Sequence, residues 1–206
     1  RSMGVPALKF NWRGEGTLHP DYSEILSYAA SLTGRCRCHG SGHHPGSNRK
    51  AFHDILINSN FNFKEHAMEG VMCTTKAMAS FDSGIPETHA KMRVGADFQR
   101  VVSNIQETLR RGHKNLWIRR VVTDMNVHED FYGDCAKLFG GYGEYHVSQH
   151  ACFDRNAMEK HSVGVDHQSV YDMGRTYCVY PSQRLVISSS GLAMPCCLAL
   201  YENLVM

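Results

Sequence analysis

Two hydrophobic periods alternate along the chain. Tyr22, Ile25, Leu26 and Ala29 recur three and four residues apart, which predicts a helix over 21–32. Ile55, Leu56 and Ile57 form a compact apolar run between Asp54 and Asn58, the pattern of a strand buried on both faces. Phe98, Val101, Val102, Ile105 and Leu109 lie on one face of a predicted helix over 97–111, with Asp97 as its cap and Gly112 as its stop. The β-branched run 116–122 predicts a strand. Shorter segments complete the series: strands at 7–12, 76–81 and 144–147, and helices at 64–72 and 126–139. Strands that alternate with helices in this way imply βαβ units around a parallel sheet, an α/β fold.

Two stretches interrupt the pattern. Residues 33–50 are rich in Gly, Ser, His and Arg without apolar periodicity, which predicts a long loop, and such loops are commonly functional or disordered. Residues 156–175 are a second irregular stretch and read as a linker. Past it, 183–187 and 192–194 predict a small hairpin around the Ser188–Gly191 turn. The organisation expected is a larger α/β part over 1–155 and a small C-terminal extension over 156–206.

Composition narrows the picture modestly. A 42% hydrophobic and 20% charged chain of 206 residues is ordinary for a globular protein. The net charge of +2 gives no indication of nucleic acid or an anionic membrane as partner. Arg110, Arg111, His113 and Lys114 form a local basic cluster, read as a solvated helix end. No apolar run approaches the roughly 20 residues of a membrane span, and no signal-peptide pattern opens the sequence, so a cytoplasmic protein is the expectation. Eight cysteines and thirteen histidines are many for such a chain and raise the question of a metal.

Candidate chemistry gathers in a few places. In the segment 9–20 a predicted strand runs into a turn where Gly14 and Gly16 flank Glu15. Glycines let backbone approach a ligand, and a carboxylate at a strand's C-terminal end points into the crevice where α/β folds bind ligands. On spacing alone it reads as a simple strand-to-helix turn. Arg119 and Arg120 are adjacent on one strand, so their side chains alternate and one should face inward. Cys36, Cys38, His39, His43 and His44 offer a zinc reading, although C-x-C is less typical than the C-x₂₋₄-C of structural zinc. Cys73, Cys135 and Cys152 read as isolated buried thiols. Tyr142, Tyr145, His146 and Gln149 lie near a later strand end, either as substrate contacts or as a packed patch.

Taken in register, several of these segments resemble the radical S-adenosylmethionine (SAM) superfamily. Gly14, Glu15 and the Leu18-His19-Pro20 run are similar to its Gly-Gly-Glu-Pro stretch and the Leu-His-Pro that often follows, with Arg13 in place of the first Gly and Gly16 in place of Pro. Residues 55–60 resemble its third strand, commonly ending in Thr-Asn-Gly, and 79–84 its fourth, usually Ser-Leu-Asp-Gly or Ser-Ile-Asp-Gly. His89 and Arg93 sit where the family often has His and Arg, and 116–126 resembles its fifth strand and exit. Cys178, twelve residues, Gly191, four residues and Cys196 are similar to the opening of the SPASM extension, an auxiliary iron–sulfur region.

The resemblance implies a partial (β/α) barrel with a small hairpin extension. It implies that Gly14 and Glu15 hold the amino group of SAM, that Ser80 and Arg93 hold its carboxylate, and that Cys178 and Cys196 ligate an auxiliary iron–sulfur cluster. The implied activity is reductive cleavage of SAM at a [4Fe–4S] cluster to a 5′-deoxyadenosyl radical. Hydrogen abstraction from a substrate would follow, first a peptide or protein and otherwise a small molecule. An electron donor such as a flavodoxin or ferredoxin is implied as partner. The C-x₃-C-x₂-C spacing that binds the family's cluster does not occur in these residues. The expectation is therefore a fragment of a longer protein or a chain with segments missing, its first βα unit absent. The alternatives are a degenerate member serving as a non-catalytic scaffold and a zinc-binding protein.

Overall fold

The computed structural model describes residues 7–11, 14–32, 54–151, 185–187 and 192–194. The chain divides into two units, residues 1–11 with 15–163 and residues 12–14 with 164–206. The first unit carries a five-stranded sheet: β1 (Ala7–Lys9), β2 (Asp54–Ser59), β3 (Lys76–Ser80), β4 (Leu116–Val122) and β5 (His146–Ala151). Its helices are α1 (Tyr22–Ser31), α2 (Met68–Met72), α3 (Pro86–Met92), α4 (Phe98–Arg110) and α5 (Phe131–Phe139). The strands stand in sequence order and every neighbouring pair is parallel. Each return between parallel strands requires a crossover, and the helices supply it.

Alternation along the strands separates two faces. Ile55, Ile57, Ala77, Ala79, Leu116 and Ile118 pack with Leu26 of α1, Val71 of α2, Ile105 of α4 and Phe139 of α5 in one apolar core. The intervening residues Leu56, Asn58, Lys76, Ser80, Trp117 and Arg119 are only partly buried, and that core includes none of them. The helices thus pack on one face of the sheet; the other, here called the open face, mixes these polar residues with Leu56, Trp117, Val121 and a buried Met78.

The strongest helix forms as its sequence dictates. The Asp97 side chain accepts the Arg100 N–H at 3.1 Å, and Val101, Val102, Ile105 and Leu109 are buried. Each such side chain stabilises by about 1.5–3 kcal/mol on burial. Gly112 ends the helix at φ 81°, in the left-handed region that glycine enters without strain.

Several elements differ from expectation: β1 ends at Lys9 rather than at 12, β5 spans His146–Ala151 rather than 144–147, and three helical segments depart as follows. Helix α5 begins at Phe131 rather than at 126, because the Asn126 side chain competes with helical backbone. Its amide donates to the Asp82 and Val121 carbonyls at 2.8 and 2.9 Å, and its Oδ1 accepts the Thr123 N–H at 2.8 Å. The new start is capped by Asp130, which accepts the Gly133 N–H at 3.1 Å. Helix α3 has no expected counterpart. It is seven residues long, opens on Pro86 and buries only His89, so it carries no apolar stripe to read. The predicted helix 64–72 divides into a 3₁₀ turn (Glu65–Ala67) and α2.

In the second unit, β6 (Val186–Ile187) pairs antiparallel with β7 (Ala193–Met194), so a hairpin forms where the alternation placed it. No helix among the described residues is long and apolar enough to cross a membrane.

Candidate functional site

The C-terminal ends of parallel strands converge where connecting loops leave the sheet, and polar groups there are available to a ligand. After β1, Gly14 adopts φ 82° and Glu15 caps a 3₁₀ turn (Gly16–Leu18). Glu15 Oε1 accepts the Thr17 hydroxyl at 2.8 Å and the Thr17 N–H at 3.4 Å. Its Oε2 accepts the Asn60 N–H at 2.7 Å, which ties the exit of β1 to the exit of β2. A carboxylate has about four acceptor sites, so the three bonds from described residues leave room for one more donor. Burial, and after it the Glu15 charge, pushes the Tyr22 phenol above its ordinary value.

The exit of β2 is held in a strained turn. Phe61 has φ 57°, the left-handed region that a non-glycine residue enters at a cost of roughly 1–3 kcal/mol. Ser59 Oγ accepts the Phe61 N–H at 2.9 Å, and Asn104 donates to the Phe61 and Phe63 carbonyls at 2.8 and 2.9 Å. The turn places the Asn60 N–H on Glu15.

At the end of β3, the Ser80 hydroxyl donates to Asn58 Oδ1 at 3.3 Å. Arg93, expected beside it, is held instead by Asp82, with Nε 2.5 Å from Oδ2. The Asp82 side chain is 3% exposed and also accepts the Val121 N–H at 2.7 Å. It therefore locks the exits of β3 and β4 together and neutralises Arg93. Sequence reasoning missed the organising roles of Asp82 and Asn126; both lie in segments that carry the resemblance, 79–84 and 116–126, but that pattern assigns neither side chain a part. His89 is fully buried between Phe81 and Phe98, at ring distances of 5.2 and 5.6 Å. No hydrogen bond of ordinary geometry reaches either ring nitrogen. Burial holds its pKa below the usual value, against the opposing pull of the Asp82 carboxylate and the Ser83 backbone.

The adjacent arginines of β4 separate as alternation requires. Arg120 is buried on the helix face, where Nε donates to Gln149 Oε1 at 2.9 Å, Nη1 donates to the Asn126 carbonyl at 3.0 Å, and the guanidinium lies 4.7 Å from the Phe131 ring centre. Arg119 lies on the open face, in register with Ser80 of β3 and Ser148 of β5, and its Nε donates to Ser148 Oγ at 3.2 Å.

The remaining candidates do not gather. Strand β5 begins at His146, so Tyr145 and His146 stand at its N-terminal end, opposite the strand exits. Tyr145 donates to the Cys135 carbonyl at 3.0 Å, Gln149 is taken by Arg120, and His146 stacks on Trp117 at 4.7 Å. Tyr142 is covered by the Arg110 guanidinium, 5.4 Å from its ring centre. Burial pushes the Cys135 thiol up to about 12, which removes it as a nucleophile, and Cys73 is only partly buried, where a buried thiol was expected. The basic cluster also divides. Arg110 and Arg111 pair with Glu107 and Arg111 also with Glu69, whereas His113 is buried against Thr74 with its Nε2 3.1 Å from Thr74 Oγ1.

Cys178, Cys196, Cys152, Cys36, Cys38, His39, His43 and His44 lie outside the described residues. Among the described residues no group of three or more His, Cys, Asp or Glu could hold a metal ion. The sequence matches no family model. No curated protein matches it.

Proposed function

We propose that this chain is the SAM-binding and substrate-positioning part of a radical SAM enzyme, its sheet an arc of a (β/α) barrel. The observation that carries the reading is the Glu15 carboxylate. It sits at a strand exit, bonded to the Asn60 N–H of the next exit, and its bonds to described residues leave one acceptor site for an ammonium group. Two further features support it. Strand order runs 1-2-3-4-5 without the reversal that marks a doubly wound sheet, and the helices pack on one face, as in an arc of a barrel. The residue after Asn60 holds a left-handed φ of 57°, the conformation a Thr-Asn-Gly exit would reach through its glycine.

SAM fits this set in part. Gly14 and Glu15 would hold its amino group, and Ser80 can turn its hydroxyl from Asn58 to a carboxylate. Arg93 reaches the same carboxylate only by exchanging Asp82 for it. Bound beside a [4Fe–4S] cluster, SAM supplies an oxidant strong enough to take hydrogen from an unactivated C–H bond. The chain's own work is then to orient that cofactor through Glu15 and Ser80, keep the strand exits rigid through Asp82 and Asn126, and seat the substrate against the open face. The auxiliary cluster at Cys178 and Cys196, a peptide or small-molecule substrate, a flavodoxin or ferredoxin donor and a cytoplasmic setting belong to the same reading.

A second reading, a non-catalytic protein on a barrel-like frame, is favoured by one observation: Glu15, Ser80 and Arg93 each already have a protein partner. One experiment separates the two. The protein expressed from its complete reading frame, reconstituted anaerobically with iron and sulfide, is given SAM and dithionite and assayed for 5′-deoxyadenosine. The enzyme reading expects product above a no-protein control and at least a tenfold loss in Glu15→Ala. A protein that holds no iron and makes no product leaves the scaffold reading standing.

A further inference from the structure

A half-buried cation normally has a carboxylate beside it, because desolvating a charge without compensation is costly. Arg119 does not. Its one hydrogen bond among the described residues is Nε to Ser148 Oγ, and no described carboxylate pairs with it, while burial lowers its pKa with no acid opposing the shift. Two residues past Ser148 on the same strand, and so on the same face, stands His150. Its Nε2 is buried with no described partner, and burial first and the Arg119 charge second hold its pKa below the ordinary value. A guanidinium edge and an imidazole nitrogen without partners among the described residues thus stand with a hydroxyl on β4 and β5.

We propose that Arg119, Ser148 and His150 form an anion subsite on the open face of the sheet, built to take a carboxylate or phosphate of the molecule acted upon. The guanidinium has two parallel N–H donors for an oxyanion after Nε is committed, and the hydroxyl and a neutral imidazole can each donate one more bond. The position separates this anion from the carboxylate of SAM. Glu15 binds at the exits of β1 and β2, whereas Ser148 and His150 are on β5, three strand spacings from β2, or roughly 14 Å. The amino and carboxylate groups of one amino acid are only about 3 Å apart. Glu15 and His150 therefore cannot grip the same amino-acid head. Arg119 is also turned toward β5 by its bond to Ser148, away from Ser80. The subsite stands on this geometry; naming its occupant a substrate rests on the radical SAM reading.

The test uses inorganic phosphate as the probe and the full chain without SAM, at constant ionic strength. Phosphate is expected to raise the melting temperature of the wild type and to move the His150 ring-proton resonances. Arg119→Met is expected to weaken phosphate at least tenfold, Arg119→Lys severalfold and His150→Gln about threefold. Circular dichroism reports whether each variant is folded, and Arg119→Lys with His150→Gln decide the matter if Arg119→Met is not. Undiminished phosphate affinity in the folded variants overturns the subsite. Glu15→Ala is expected to bind phosphate as the wild type does, and SAM is expected not to compete. Competition by SAM, together with loss in Glu15→Ala, overturns the assignment to substrate and gives the anion site to the cofactor. A protein that makes no 5′-deoxyadenosine yet binds phosphate through Arg119 keeps the subsite and loses the enzyme reading.

Discussion

Arg119 and Arg120 are neighbours in sequence and opposites in environment. Arg120 points into the helix-packed face, where it bonds to Gln149 and the Asn126 carbonyl, lies over Phe131 and has the Glu129 and Asp82 charges nearby. Arg119 points to the open face with one neutral partner and no acid among the described residues. On the helix side the Arg120 charge thus meets hydrogen-bond acceptors and nearby carboxylates, although the Glu129 oxygens and the His89 ring are buried there without hydrogen-bond partners. On the open side, Arg119 has no carboxylate and His150 Nε2 no hydrogen-bond partner among the described residues. The anion subsite proposed above rests on that difference between the two arginines.

The sharpest way to break this comparison is to remove each guanidinium in turn. Arg120→Met leaves the Asn126 carbonyl and the Gln149 amide oxygen buried without their donor and strips Glu129 of its nearby positive charge. It is expected to destabilise by about 2–4 kcal/mol, since breaking a buried polar network exposes the full desolvation cost of what remains. Arg119→Met removes an uncompensated charge and is expected to change stability by less than about 1 kcal/mol, or to raise it. Urea unfolding of both variants checks this. Equal destabilisation by the two would mean that Arg119 is structural, and the functional meaning of the open face would go with it.

A smaller effect tests how tightly the helix side is packed. Gly70 of α2 faces Ser23 of α1, whose Oγ accepts the Gly70 N–H at 2.8 Å and donates to the His66 carbonyl. A Cβ at position 70 would stand 2.9 Å from the Ser23 Cα, a backbone atom that cannot rotate away. Gly70→Ala is expected to destabilise by about 1–3 kcal/mol through separation of the two helices, despite alanine's better helix propensity. A gain in the melting temperature would show that α1 and α2 are not in close contact.

How far the sequence foretells the molecule follows the same division between faces. The core strands and α4 are legible because burial imposes a period, and Ile55, Ile57, Ile105 and Ile118 fall where the period puts them. Helix α3 escapes because a seven-residue helix opening on proline, with one buried residue, has no period to detect. The start of α5 escapes because Asn126 bonds three backbone groups that no local pattern announces. Glu15 is legible as a carboxylate at a strand exit, but its bond to Asn60 spans 45 residues. The pairing of Arg93 with Asp82 is likewise tertiary, so a motif could name Arg93 without foreseeing that its charge is already met. The division between Arg119 and Arg120 needs only the alternation of a strand, once the register shows which face the helices cover.

The smallest expected effect concerns histidines held neutral. His89, His113 and His150 all have pKa values below the ordinary 6.5, with burial the first cause in each. The unfolded chain takes up these protons near 6.5 and the folded chain only at lower pH. The stability tied to the neutral rings is therefore complete above 6.5 and declines as the pH falls below it toward the folded values. Glu107, whose pKa is lowered first by its Arg111 hydrogen bond, contributes outside this window, because its unfolded form titrates near 4.5. Urea unfolding at pH 7.5, 6.5 and 5.5 without phosphate should then show a declining free energy. His113→Gln should make the decline shallower, since glutamine can still offer Thr74 a hydrogen bond but binds no proton. An unchanged slope in His113→Gln would mean that His113 is solvated in the folded state. If phosphate occupies the open face, the slope of the wild type and of His113→Gln should respond to it alike, whereas His150→Gln should respond less. The pH dependence of stability thus reports the helix side through His113 and the open side through His150, in a single set of measurements.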